Sequence, residues 1–330
     1  MKLVSSTYVT PSLIAKHLNE QLEKHEFSGA MVFVSADIEY EVLLPLLSLE
    51  CPYIGSTVLT AQHGVDNAFS TCVVVIFGKE HEPVVGEMRD IAKISNGTTF
   101  AFSTSDPEIA DYCKISAFSG GLAADNWAFE RMAVFLNGNI IESGTVGLHI
   151  KSGNETTFDC GWETIPGTRA RVTKSSGGRV QMIDNENAVD WYKRFIPSAG
   201  AFGAYPIRKI DTKEFRAPLS VNEDDGSIGF SAELMEGETI ELTTTQREKI
   251  MEASKRAIEN NGSNECTGIL FSCAARSLVL GDWADKEHEL LKSDSPLTLY
   301  LYGEFTPGNG TTTLQNQHVV LTSIKDNRHA

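Results

Sequence analysis

Four residues in the last third of the sequence have side chains suited to chemistry: Cys273, Arg276, Glu304 and His318. Cys273 follows the apolar run GILFS, so the thiol is expected at the end of a strand, facing a cleft. A cysteine nucleophile needs a cation or a helix N-terminus to lower its pKa, and usually a base nearby. Arg276 could lower the pKa, and Glu304 or His318 could act as the base, which would make the protein a cysteine-dependent amide- or acyl-transfer enzyme. The alternative, a small buried hydrophobic thiol, is the more common one and the one we favour.

Arg276 and Glu304 are also candidates for binding without chemistry. A guanidinium group holds a carboxylate through two parallel hydrogen bonds, which suits an amino-acid-like ligand. Glu304 ends the alternating run LTLYLYGE and could receive the ammonium group of the same ligand. An equally good interpretation is a structural ion pair between Arg276 and a carboxylate such as Glu304. The sequence leaves both interpretations open.

Two short segments combine glycine with small hydroxyl residues: Gly55, Ser56 and Thr57, and Ser119, Gly120 and Gly121. Loops of this composition bring main-chain amides close to an anionic ligand, because no side chain stands in the way. Ordinary turn chemistry is the competing explanation. Neither segment has the spacing of a Walker motif or of a dinucleotide-binding fingerprint.

The eight histidines are scattered along the sequence, and neither HExxH nor CxxCH occurs. We therefore expect no metal site and no covalently attached haem. His149 and His318 are the two histidines in apolar surroundings. Each could ligate haem, but a hydrogen-bonded core histidine is the favoured interpretation.

Composition and charge exclude several functions. The chain has 330 residues and a net charge of −16, and no segment concentrates lysine and arginine. Nucleic acid and anionic membrane surfaces are therefore unlikely partners, since both require clustered cations. The start of the sequence has no signal-peptide pattern, and no apolar run is long enough to span a membrane. Six cysteines without a CxxC pair indicate reduced thiols in the cytoplasm.

The elements that would position these residues mix helices and strands. Pro11 and the stripe of Ile14, Leu18 and Leu22 predict an early helix, and Asn137-Gly138 between two β-rich runs predicts a tight hairpin. We predict an α+β fold of two domains, 1–200 and 201–330, with mixed, largely antiparallel sheets flanked by helices. A doubly wound pair of domains is the alternative. No short-period repeat is evident.

Seven segments, read in order, resemble the FIST family, a group of bacterial sensory modules with N- and C-terminal parts. They are GAMVFVSA, PYIGST, SGGLAADNWAF with VFLNGNIIESGTVGLHI, GWETIPGTRARVTKSSGGRVQMIDNENAVDWY, GAYPIR, FSCAARSLVLG, and LYGEFTP with LQNQHVVL. The family commonly has GCSTAGE where this chain has IGSTVLTAQ, so that Ser56 replaces a cysteine. His318 also stands where the family usually has threonine.

The resemblance implies a cytoplasmic small-molecule sensor without catalytic activity, which acts through a separate histidine kinase, cyclic-dinucleotide enzyme or chemoreceptor. It implies an amino acid or related small carboxylate as ligand and allows a homodimer. One subset of the family resembles haem-based nitric-oxide sensors, although we expect no cofactor here. The matched segments add Asp125 and Asn316 to the ligand-binding candidates already named, Gly55, Ser56, Thr57, Gly120, Gly121, Cys273, Arg276 and Glu304.

Overall fold

The computed structural model describes residues 1–63, 69–104, 106–262, 268–291 and 296–324. The strands of its first half are β1 (Lys2–Ser6), β2 (Gly29–Ser35), β3 (Tyr53–Val58), β4 (Thr60–His63), β5 (Phe69–Ser70), β6 (Cys72–Phe77), β7 (Val84–Glu87), β8 (Thr98–Ser103), β9 (Ser119–Leu122), β10 (Val134–Leu136), β11 (Asn139–Ile141), β12 (Thr145–Ile150) and β13 (Asn154–Asp159).

The strands that follow are β14 (Glu163–Thr164), β15 (Ala170–Ser176), β16 (Arg179–Ile183), β17 (Glu186–Asn187), β18 (Ile207–Lys209), β19 (Phe215–Arg216), β20 (Pro218–Asn222), β21 (Ser227–Phe230), β22 (Thr239–Thr244), β23 (Gly268–Cys273), β24 (Leu297–Leu301), β25 (Glu304–Gly308), β26 (Thr311–Gln315) and β27 (Val319–Ile324). The α-helices are α1 (Pro11–Leu22), α2 (Tyr40–Leu43), α3 (Met88–Ile91), α4 (Ile109–Ile115), α5 (Ala188–Lys193), α6 (Arg247–Asn260), α7 (Ala274–Leu280) and α8 (Ala284–Glu289).

Three of the sheets repeat one topology, which the sequence did not reveal. Their strand orders are β1-β6-β2-β3-β10-β11, β7-β12-β8-β9-β25-β26 and β13-β27-β23-β24-β4-β5. In each sheet the third strand pairs in parallel with the next strand of its own sheet and antiparallel with the strand before it. We call these units repeat 1 (residues 2–77), repeat 2 (84–150) and repeat 3 (154–159 and 247–324).

The last two strands of each sheet come from a different repeat. The β4–β5 hairpin of repeat 1 pairs with repeat 3, the β10–β11 hairpin of repeat 2 pairs with repeat 1, and the β25–β26 hairpin of repeat 3 pairs with repeat 2. The three units are thus joined in a closed cycle of exchanged hairpins.

Aromatic side chains at corresponding positions form the centre of this ring. Phe33, Phe102 and Phe271 lie on the third strands β2, β8 and β23 and are fully buried. The ring centroids of Phe33 and Phe102 are 5.0 Å apart, and those of Phe102 and Phe271 are 6.1 Å apart. Almost every residue of these strands is buried, because the other face of each sheet is covered by helices.

A separate unit of residues 163–244 interrupts repeat 3 between β13 and α6. It contains a nine-stranded sheet formed by β14 to β22, and α5 packs on it. The core of this inserted unit centres on Trp191 and Tyr192, which are fully buried. The inserted unit lies next to the edges of repeats 2 and 3.

The predicted fold class is confirmed: the sheets are mixed and largely antiparallel, and helices flank them. The Asn137-Gly138 turn is also confirmed, because both residues have positive φ and join β10 to β11. Gln246 precedes α6, and the Thr245 hydroxyl just before it donates to the Gly161 carbonyl. The domain boundary near residue 200 falls inside the inserted unit and stays a prediction.

Candidate functional site

A cavity of about 730 Å³ lies between repeat 2, repeat 3 and the inserted unit. Repeat 2 contributes the segments that follow β8 and β9, and repeat 3 contributes Cys273, the start of α7 and Tyr302. The inserted unit contributes residues 217–219 and Ser231. Cavities of this size and mostly apolar lining are typical of small-molecule sites, which often occur where structural units meet.

Three aromatic rings form one wall of the cavity. The ring of Tyr302 lies 5.5 Å from that of Trp127 and 4.6 Å from that of Phe129, centroid to centroid. Trp127 and Phe129 have φ angles of 66° and 57° and remain more than a third exposed. A left-handed conformation costs a bulky residue about 1–2 kcal/mol, so the surrounding loop must hold both residues in place.

Asp125 holds this loop. Its buried carboxylate accepts hydrogen bonds from the amides of Phe129, Glu130 and Arg131 at 2.8–3.0 Å, and from the Tyr302 hydroxyl at 2.6 Å. Burial alone would raise the pKa of Asp125, but these hydrogen bonds outweigh it and lower the pKa. With these four internal donors, Asp125 positions the aromatic wall; it is not among the described residues that line the cavity, and its direct contact with a ligand stays a prediction.

Polar groups are few in the lining, and most have internal partners. The Asn316 amide nitrogen donates to the Tyr302 carbonyl at 3.1 Å, and its oxygen accepts from the Ser231 hydroxyl at 2.5 Å. The half-buried Asp106 accepts from the Glu108 amide at 2.9 Å and from the Thr145 hydroxyl at 2.5 Å. Because a carboxylate offers about four acceptor sites, Asp106 keeps acceptor capacity for a ligand.

Cys273 lines the cavity at the point where β23 ends and α7 begins. Burial raises the pKa of its thiol well above the ordinary value, and the nearby Glu304 carboxyl adds to this effect. This rise in pKa is opposed, but not reversed, by the amides of Gln317 and Ala275 and by the Arg276 guanidinium. Cys273 is therefore a neutral thiol at neutral pH, which agrees with the buried, unreactive thiol favoured in the sequence analysis.

Glu304 lies behind Cys273, fully buried, and neither of its carboxyl oxygens has a hydrogen-bond partner. Burial raises the pKa of Glu304 well above its usual range, although Arg276, the His318 amide and the Cys273 thiol act in the opposite direction. The neighbouring Gln317 side chain is also fully buried and unpartnered at both amide atoms. A carboxyl group in this setting is protonated near neutral pH.

Arg276 does not face the cavity, and the predicted ligand clamp is corrected here. Its guanidinium is fully buried and pairs with Glu287 at 2.7 Å. The remaining donor positions are filled by carbonyls and a hydroxyl, namely those of Cys160, Ile250, Gln317 and Ser254. The structural ion pair considered from the sequence is the arrangement observed, with Glu287 as the partner in place of Glu304.

The glycine-containing segments are strands, so the expectation of ligand-binding loops is wrong. Gly55, Ser56 and Thr57 lie inside β3, between β2 and β10, and a Cβ on Gly55 would stand 2.1 Å from the Val32 carbonyl oxygen.

Gly120 and Gly121 lie inside β9, where a Cβ would stand 2.0 Å from the Ala101 oxygen or 2.2 Å from the Gly303 oxygen. Close packing of strands explains all these small residues, and none of them is among the described residues that line the cavity.

The two histidines considered for haem are core residues outside the cavity lining. His149 contacts the Thr99 hydroxyl at 2.9 Å, and His318 contacts the Asn316 carbonyl at 2.9 Å. Burial lowers the pKa of His318 to about 4. Neither histidine is among the described residues that line the cavity, and the expectation of no cofactor stays a prediction.

Neither a metal site nor a spanning helix was expected. Within the described ranges, His, Cys, Asp and Glu side chains form no group of three suited to a metal ion. No helix in the same ranges has both the length and the apolar character needed to cross a membrane.

Four residues important to the site escaped the sequence analysis: Asp106, Trp127, Phe129 and Glu287. Trp127 and Phe129 stand within the segment DNWAF, where two aromatic residues after Asp-Asn could have indicated an exposed binding loop. Asp106 and Glu287 carry no such signal, because no motif marks them and their side-chain partners are 11 to 39 residues away in the sequence.

The ring of three repeats and the inserted unit together form the cavity described above. The FIST N domain matches residues 28–186, and the FIST C domain matches residues 188–308. The chain belongs to the FIST family, whose domains have sensory roles in signal transduction. A comparison with curated proteins gives no match.

Proposed function

We propose that this protein is a sensory protein that binds a small molecule in the cavity between repeat 2, repeat 3 and the inserted unit. The observation that supports it is the cavity itself, whose volume of about 730 Å³ and mainly apolar lining suit a small organic ligand. The neutral thiol of Cys273 and the protonated Glu304 favour binding over a cysteine-dependent reaction.

A signal would arise from the position of the inserted unit relative to the repeats. The cavity takes its walls from both, so a ligand that fits one relative position better than another shifts the equilibrium between them. A separate partner would read that change, and the family resemblance suggests a cytoplasmic histidine kinase, cyclic-dinucleotide enzyme or chemoreceptor. A homodimer is compatible with such a role.

The predicted ligand class, an amino acid or related carboxylate, fits the cavity only in part. The ammonium group of an amino acid can pair with Asp106. The carboxylate of that amino acid has no cationic partner among the described lining residues, because Arg276 is buried and pairs with Glu287. Amino acids and their derivatives without a free carboxylate therefore belong in the same screen.

The test is a thermal-shift screen of the unmodified protein with amino acids, amines, small acids and neutral aromatic compounds. Binding to the native state raises the melting temperature by mass action. Ala275→Phe, which fills the cavity from α7, should abolish the shift. Ser12→Phe at an exposed position on α1 is the matched control and should keep it.

A compound whose shift is lost in Ala275→Phe and kept in Ser12→Phe would support the proposal. The proposal is overturned if no compound in the screen shifts the melting temperature, or if every shift survives in Ala275→Phe.

A further inference from the structure

We infer that the ligand of this cavity is an organic cation, a protonated amine attached to an aromatic or aliphatic body, and not a carboxylate. This inference rests on the proposed function and specifies its ligand class. It depends on the charges and rings that surround the cavity.

The first observation is the sign of the charge in the lining. Among the described residues that line the cavity, Asp106 is the one aspartate or glutamate, and no lysine, arginine or histidine accompanies it. The nearby cation of the aromatic loop, Arg131, pairs with Glu41 at 3.1 Å and lies over the ring of Tyr40. An anionic ligand would therefore enter the cavity without a cationic partner, whereas a cation would meet a carboxylate.

The second observation is the aromatic wall. A cation is attracted to the face of an aromatic ring within about 6 Å of its centroid, most strongly for tryptophan. Trp127, Phe129 and Tyr302 are packed together and line the cavity on one side. The Tyr302 hydroxyl donates to the Asp125 carboxylate, which places a negative charge behind the ring and strengthens its attraction for a cation.

The third observation is the charge of the whole chain. A net charge of −16 attracts cations from solution and raises their local concentration near a cleft of the same sign. The remaining lining from Leu122, Ala123, Leu278 and Leu314 is apolar and suits the body of such a ligand. The cavity thus combines an apolar surface with one carboxylate and one aromatic wall, each of which favours an ammonium group over a carboxylate.

Three probes with the same indole body and different end groups test this inference by isothermal titration calorimetry. They are tryptamine, which is cationic at neutral pH, the neutral indole-3-ethanol and the anionic indole-3-propionate. Tryptamine should bind about five- to tenfold more tightly than indole-3-ethanol, and indole-3-propionate should bind most weakly. This comparison uses the unmodified protein, so it does not depend on whether a variant folds.

Asp106→Asn should remove most of the preference for tryptamine and leave the affinity for indole-3-ethanol unchanged. The matched control is Asp224→Asn, which lies exposed on the turn between β20 and β21, removes the same charge and lies outside the described lining. Trp127→Leu should also weaken tryptamine more than indole-3-ethanol, because leucine keeps an apolar surface without a π face.

Equal binding of tryptamine and indole-3-ethanol, or tightest binding of indole-3-propionate, would overturn the inference while the cavity function stands. The inference is also overturned if none of the three probes binds while another compound raises the melting temperature and Ala275→Phe abolishes that rise. If no compound at all shows a shift that depends on the cavity, the proposed function fails as well.

Discussion

Two carboxyl groups beneath the cavity, Glu287 and Glu304, are both fully buried but have opposite electrostatic surroundings. Glu287 pairs with Arg276 and accepts hydrogen bonds from the hydroxyls of Ser254, Ser272 and Tyr300. Burial alone would raise the pKa of Glu287, but Arg276 and the serine hydroxyls outweigh it and lower the pKa.

Neither oxygen of Glu304 accepts a hydrogen bond of ordinary geometry, and burial raises its pKa against the weaker opposing effects of Arg276, the His318 amide and the Cys273 thiol. The difference shows that burial by itself does not fix the charge of a carboxyl group; the donors around it do. Glu287 is an ionised structural group, and Glu304 is a protonated group next to the cavity floor.

The largest expected change in stability comes from removing the cation that pairs with the buried Glu287. Arg276→Met leaves the Glu287 carboxylate buried without its cation, and the free energy of unfolding should fall by about 3–5 kcal/mol. Urea unfolding monitored by circular dichroism measures the loss. Arg131→Met removes one partner of the exposed pair with Glu41 and should cost less than about 1 kcal/mol. Equal losses of unfolding free energy in the two variants would show that the buried ion pair stabilises the protein no more than the exposed one.

The second prediction concerns the thiol that faces the cavity. Because burial and Glu304 raise the pKa of Cys273, iodoacetamide at pH 7.5 should alkylate it at least about 100-fold more slowly in the native protein than in urea. Mass spectrometry of the peptide that contains Cys273 follows the reaction, and Cys273→Ser identifies the signal. Rapid alkylation that is already complete at pH 7 would instead favour a catalytic thiol.

The third prediction uses pH to separate the two carboxyl groups. The folded pKa of Glu304 is raised, so the native state binds its proton more tightly than the unfolded state, and stability is lost as pH rises from the unfolded value towards the folded one. The loss is at most about 1.4 kcal/mol for each pH unit. Glu304→Gln should remove this loss and become progressively more stable than the unmodified protein as pH rises above about 4.3.

Glu287→Gln should behave in the opposite way. The folded pKa of Glu287 is lowered, so its contribution is present above the unfolded pKa and disappears as pH falls through the folded value. Its destabilising effect should therefore be greatest near neutral pH and shrink in acid. Parallel pH profiles for the two variants, measured by urea unfolding, would contradict the assignment of opposite charge states.

The smallest effect is expected beside Glu304. Gln317 makes no side-chain hydrogen bond, so Gln317→Met, which has a similar shape, should change stability by less than about 1 kcal/mol or increase it. Asn261→Leu is the contrasting change, because Asn261 donates to the Glu155 and Leu321 carbonyls from a fully buried position. It should cost about 1–3 kcal/mol, and a similar cost for Gln317→Met would reveal a partner of that side chain.

The sequence predicted those parts of the fold that depend on local patterns. The stripe of Ile14, Leu18 and Leu22 is buried in α1, and the Asn137-Gly138 turn closes a hairpin as expected. The repeated topology was missed because the repeats share strand order and apolar character rather than identical residues. The insertion between β13 and α6 further separates the two parts of repeat 3.

The candidate site was predicted in outline only. Cys273 and Asn316 do line the cavity, but Arg276 and Glu304 lie beneath it. Residue type correctly indicated that Arg276 would bind a carboxylate, yet it could not tell whether that carboxylate belongs to a ligand or to Glu287. That choice depends on α8 folding back over β23, which no local pattern encodes.

The cyclic exchange of hairpins has a consequence for how the chain is made. The pairing of His63 with Leu297 cannot form until residue 297 has left the ribosome, so β4 is made more than 200 residues before its partner strand β24. Such distant pairing slows folding and leaves strand edges open meanwhile. A nascent or C-terminally truncated chain would therefore expose β4 and depend on chaperones, while the finished ring leaves that strand covered.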